Sequence, residues 1–132
     1  MNRNDDALKT LNKALELSPK KQQIYFLLAD IYLAKGENVK ALQIMQDSYN
    51  LDTTYTEAAK NLALVLILNN KKKETEDLLQ KTFGKRILID TQFVNAYARI
   101  NDFEKVKEIW FGFIEQEPNN AQYHISLAAT YI

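Results

Sequence analysis

The sequence predicts an all-α chain of about eight helices, paired antiparallel and stacked side by side as an α-solenoid. Three observations carry this. Only three glycines and two prolines interrupt 132 residues, and abundant Ala, Leu, Lys, Glu and Gln favour long helices with tight connections. Apolar or small residues recur at the i, i+3, i+4, i+7 spacing of one helix face: Tyr25, Leu28, Ala29 and Tyr32 before Gly36, then Ala41, Met45 and Ser48 after it. Residues suited to a left-handed turn also return at intervals, 34 positions from Gly36 to Asn70 and 31 from Asn70 to Asn101. A period of that size is the mark of stacked helical units.

The elements follow in order. Asp5 and Asp6 suit the positive end of a first helix, which runs through Ala7, Leu8, Leu11, Ala14, Leu15 and Leu17 and stops at Pro19. Lys20 or Lys21 to Ala34 makes the second helix and about Asn38 to Asn50 the third, with Gly36 supplying the turn that a side chain would resist. Thr54 to Leu68 is the fourth; Asn69 and Asn70 replace the turn glycine, asparagine tolerating that backbone best after glycine. Lys71 to about Phe83 is a weaker fifth helix, with Gly84 just past its end. The three residues missing from the second interval lie near Gly84 to Arg86, which predicts a shortened connection, a following unit that starts at Ile87, and irregular curvature there. Phe93, Val94 and Tyr97, then Val106, Trp110 and Phe113, are larger than their counterparts and are expected to fill the space opened at that joint. Pro118 closes the seventh helix, and Ala121 to Ile132 forms the eighth.

In a 34-residue frame these residues resemble the tetratricopeptide repeat. Tyr25 stands at the usual Trp, Leu28 and Ala29 at Leu-Gly, Tyr32 at Tyr, and Ala41, Met45 and Ser48 at the Ala, Phe and Ala of the second helix. Thr53 stands where the closing proline would be, whereas Pro19 and Pro118 occupy that place in their own units. The resemblance covers the whole chain as a single domain: a half repeat over 1–21, full repeats over 22–55, 56–86 (shortened) and 87–120, and a half repeat over 121–132. It implies a right-handed superhelix whose function is non-catalytic protein or peptide binding. The stretch from Ser18 to Phe26 is also similar to repeat tails of bacterial O-antigen-ligase-type membrane proteins, which would make the domain a soluble appendage of a larger protein.

Composition excludes other classes. Seventeen basic and seventeen acidic residues cancel, so the long-range field that draws proteins to nucleic acid or anionic membranes is missing. Without cysteine there are no disulfides, thiolate zinc sites or cysteine nucleophiles. Met1 to Thr10 is too polar for a signal peptide, so the cytoplasm is the default compartment. The apolar run Leu62 to Leu68 is far below the roughly 20 residues of a membrane helix, and is expected to be core. No metal, phosphate-loop or nucleophile-elbow motif is present, so no cofactor and no enzymatic activity are expected. His124, the single histidine, sits at an aromatic packing position and is expected to pack. Lys71, Lys72, Lys73, Lys81, Lys85 and Arg86 form one basic cluster, diluted by Glu74, Glu76 and Asp77 and read as a solvated face.

The resemblance places a binding groove on the first helix of each pair: Phe26, Asp30, Lys60, Asn61, Leu64, Gln92, Asn95 and Arg99. Lys60, Asn61, Asn95 and Arg99 offer two cations and two amides to the backbone or carboxylates of an extended peptide. The carboxylate grip of some family members is not expected, because of its residues only Asn61 is matched. An alternative is structural self-assembly. Leu8 and Leu11 at one end and Leu127 and Tyr131 at the other would be left without partners and could stack chains head to tail.

Overall fold

The computed structural model describes residues 3–132. The first two positions of the half repeat drawn over 1–21 lie outside the described residues. Among those described there are eight helices and no strand: α1 (Arg3–Leu17), α2 (Gln22–Ala34), α3 (Asn38–Leu51), α4 (Thr56–Leu68), α5 (Lys72–Phe83), α6 (Thr91–Arg99), α7 (Phe103–Gln116) and α8 (Ala121–Thr130). Each packs on the next except at one place: between α5 and α6 the chain wanders, and α6 packs on α4 instead. The result is an α-solenoid.

The turns bear out the reading of their residues. Gly36, Asn70 and Asn101 have φ of +76°, 59° and 60°, the left-handed conformation that ends a helix and that side chains resist. Asparagine is second best here. Replacing Asn101 by glycine is therefore expected to raise the urea midpoint, by a few tenths to about 1 kcal/mol, and replacing it by alanine to lower it by about as much. An alanine variant as stable as the glycine one would contradict this. Consecutive turns are also tied together: Asn69 Nδ2 donates to the carbonyls of Asn38 (3.0 Å) and Val65 (2.9 Å), and Asn38 Nδ2 donates to that of Leu68 (3.4 Å).

The core divides into two clusters that share α4. Ala59, Leu62, Val65 and Leu66 join Ala29, Ala41, Met45 and Tyr49 in the first. Ala63 and Ile67 join Leu79, Phe93, Val94, Ala96, Tyr97, Val106 and Ile109 in the second. The stretch Leu62 to Leu68 is core apart from Leu64 and Leu68, which are half-buried. No residue of α1 or α8 is fully buried.

The joint after α5 corrects one expectation. The connection is not shortened: 84–90 spans seven residues where other joints use three or four, and the missing length is taken from α6, which has 9 residues against 13 in α2 and α4. The chain starts its helix late for local reasons. Gly84 at φ +73° ends α5, Asp90 is extended (φ −151°, ψ 135°), and its Oδ1 accepts the Gln92 N–H at 2.7 Å, an N-cap that fixes the helix start at Thr91. The unit counted from Ile87 thus has its first turn unwound. The enlarged Phe93, Val94, Tyr97 and Val106 form the cluster on which Phe83, Ile87 and Leu88 of this joint pack. Ile89 adds to the filling by lying directly on Gly112, where a Cβ would overlap its Cδ1. Trp110 and Phe113 also stack with Tyr123 of α8, with ring centroids 5.0 to 6.2 Å apart.

Candidate binding cleft

Three parallel helices set the walls of a cleft on one face of the array. From α2 come Phe26, Asp30 and Leu33; from α4, Asn61, Leu64 and Leu68; from α6, Gln92, Asn95 and Arg99. Within each helix these residues are three, four or seven apart, so they stand on one stripe. The cleft has a volume of about 340 Å³. Its floor is Ala29, Met45, Val65 and Ala96, all buried. Ala29, Met45 and Val65 were read from the sequence only as core and Ala96 was not singled out; small residues at Ala29 and Ala96, which let helices approach closely, are the one signal that a floor lies there.

Seven of the eight expected groove residues line this cleft; Lys60 does not. Its Nζ lies 2.8 Å from Asp90 Oδ2, with both side chains about three-quarters buried. Asp90 is already fixed by the N-cap, so its free oxygen draws the ammonium across and ties α4 to the start of α6. Lys60 is a tether between helices and offers no free cation to a ligand.

The remaining polar groups differ. Asp30, Asn61, Gln92, Asn95 and Arg99 have no side-chain partner among the described residues, whereas some charges between helices elsewhere are paired, as in Lys72 with Asp102 (2.9 Å) and Lys105 with Glu76 (3.0 Å). Partial burial raises the Asp30 pKa above its ordinary value, because desolvation penalises the carboxylate. Asp30 also borders a second, more apolar cleft of about 570 Å³ between α1 and α2, formed largely by Ala7, Leu11, Leu27, Ile31 and Ala34 with Asp6 on its edge.

Other expectations resolve as follows. His124 is exposed and is not a packing residue; its Nε2–H donates to the Pro118 carbonyl at 2.9 Å. Tyr25 OH does the same to Pro19 at 2.7 Å, so a polar ring six residues after the closing proline pins each of these joints. The basic cluster is partly consumed by ion pairs, Lys72 with Asp102 and Lys73 with Asp77. Leu8, Leu11 and Leu127 are half-buried, while Tyr131 is 63% exposed with Lys107 Nζ 5.2 Å from its ring centroid. Among the described residues no three His, Asp or Glu side chains converge to hold a metal ion. Among the described residues no helix is long and apolar enough to cross a membrane.

Comparison with known proteins places this geometry. The tetratricopeptide repeat family model matches residues 1–48. Among solved structures, the chain is similar to a thermophilic TPR protein of Thermus thermophilus (16% identity, TM-score 0.67, covering 94% of this chain and 71% of that one). It is similar to a tetratricopeptide repeat protein of Parabacteroides merdae (18% identity, TM-score 0.70, 98% and 52%). It is also similar to YrrB, described as a TPR protein with an unusual peptide-binding site (22% identity, TM-score 0.61, 98% and 69%). No protein of curated function matches the chain.

Proposed function

We propose that the chain is a non-catalytic scaffold that binds an extended peptide segment of another protein in the cleft between α2, α4 and α6. The observation that supports this most is the set of polar side chains without partners, Asp30, Asn61, Gln92, Asn95 and Arg99, around an apolar floor. Peptide sites combine apolar contact with a few placed hydrogen-bonding groups. Amide side chains can both donate to and accept from a peptide backbone, and Arg99 can hold a carboxylate. The likeness to YrrB agrees with this reading.

A random 12-residue peptide library displayed on phage tests it. The full chain is expected to enrich a set of peptides, and the Asn61→Ala, Asn95→Ala, Arg99→Ala triple variant to lose them while keeping its helical circular dichroism. Equal enrichment by both proteins would remove the cleft from the binding surface.

A second reading, head-to-tail stacking of copies, draws on the end helices: neither α1 nor α8 has a fully buried residue, and Ile125 and Tyr131 are 59% and 63% exposed. Leu127 and Tyr131 of one copy would meet Leu8 and Leu11 of the next. Light scattering over a concentration series tests it, and a monomer at every concentration would remove it.

A further inference from the structure

The cleft has two charged residues, one of each sign, on opposite walls: Asp30 on α2 and Arg99 on α6. They form no ion pair with one another or with any other described residue, because α4 with Asn61 and Leu64 stands between their helices. Elsewhere some opposite charges pair between helices, as Lys35 does with Asp5 and Lys60 with Asp90. The acidic side extends further, since Asp30 also edges the neighbouring apolar cleft together with Asp6. No basic residue lines that second cleft.

We infer that the cleft selects a dipolar peptide segment, with a Lys or Arg set against Asp30 and an Asp or Glu set against Arg99, and that this charge order fixes the direction in which the segment lies. The inference rests on the peptide-binding reading above and adds the partner's chemistry. Two helix spacings of about 8–10 Å each separate α2 from α6. An extended chain at about 3.3 Å per residue covers that span in roughly five or six residues. Asn61 on α4 lies between the charged ends and Asn95 stands one turn before Arg99 on α6, where both amides can meet the segment's backbone. Beyond the cationic residue, the α1–α2 cleft takes apolar side chains, because Ala7, Leu11, Leu27 and Ile31 face it there. A uniformly acidic or uniformly basic segment satisfies one end and is repelled at the other.

Desolvation already penalises the Asp30 carboxylate. A cationic side chain returns the favourable interaction that water has partly lost. Both residues are solvent-accessible, so substituting them does not disturb either core.

The test uses the full chain and the phage library of random 12-residue peptides, followed by affinities of the selected peptides as synthetic probes. Selected peptides are expected to carry a Lys or Arg and an Asp or Glu roughly five or six residues apart, in one preferred order. Asp30→Lys and Arg99→Glu are each expected to weaken a selected peptide by about tenfold. The double variant is expected to recover binding toward the same peptide with its two charged residues exchanged. Peptides selected without a charge pair, or single reversals that change affinity less than twofold, would overturn the dipolar inference and leave the cleft reading standing. Failure of the wild-type chain to enrich any peptide would overturn both.

Discussion

Replacing Phe93 by alanine is expected to cost about 3–5 kcal/mol, the usual loss for emptying a fully buried aromatic site. Phe93 has no exposed surface and lies in the second core with Ala63, Ile67, Leu79, Val106 and Ile109. α6 has only 9 residues, and Val94, Ala96 and Tyr97 are the buried side chains left to hold it once the ring is gone. Against a total stability of roughly 5–15 kcal/mol for such a domain, the second core would be close to melting. No fully buried residue of the first core comes from α5, α6 or α7, and of these helices only α5 reaches it, through the half-buried Leu78; stacked repeats depend mainly on nearest neighbours. The variant should therefore unfold in two steps, α6 to α8 first and α2 and α3 later. Thermal circular dichroism with amide hydrogen exchange checks this: protection lost in α6 and α7 and retained in α2 and α3 is the expected pattern. A single transition displaced by less than about 1 kcal/mol would contradict the large effect.

The second large effect depends on pH. Burial of Tyr97, with smaller contributions from the carboxylates of Glu76, Asp102 and Glu108, pushes its pKa up to about 12 from 10.0. In the unfolded chain the phenol loses its proton near the ordinary value, while in the folded chain it keeps it. Above pH 10.0 the unfolded state therefore binds fewer protons and gains on the folded one. Stability linked to Tyr97 is complete below that pH and is lost as the pH rises through about 12. Two pH units correspond to about 2–3 kcal/mol. Tyr97→Phe removes this dependence without emptying the site. Urea midpoints at pH 9 and 11.5 should thus fall further for the wild-type chain than for the variant; equal falls would show that another group carries the alkaline loss. Comparing the two proteins at each pH cancels the contribution of the other six tyrosines.

Eight helices could be read from the sequence because their faces and turns carry local signals. Leu28 with Ala29 and Leu62 with Ala63 mark the close-packed stripes, and Gly36, Asn70 and Asn101 sit where the backbone turns left-handed. The late start of α6 was less visible. Ile87, Leu88 and Ile89 continue an apolar pattern that suits a helix, and only the Asp90 N-cap, read together with the β-branched residues before it, argues for extended chain. Gly112 gives no hint of its role until Ile89 is seen lying on it. Seven groove residues could be placed by counting along helices, since a stripe is a local property. Lys60 could not, because Asp90 lies 30 positions away and the pair exists only once α4 and α6 are side by side. His124 was misjudged for a similar reason: its hydrogen bond to Pro118 crosses a joint whose geometry periodicity does not describe.

The division of α4 between two cores has a consequence for how such a chain can drift. One stripe of the helix, Ala59, Leu62 and Leu66, answers to the first core, and another, Ala63 and Ile67, to the second. Asn61, Leu64 and Leu68, at i, i+3 and i+7, belong to neither cluster's buried set and face the cleft. Leu64 and Leu68 also lean on the second core, which leaves Asn61 as the position where an exchange changes the cleft wall at least cost to packing. Under the binding proposed above, a lineage would change ligand first at that residue, without passing through an unstable intermediate.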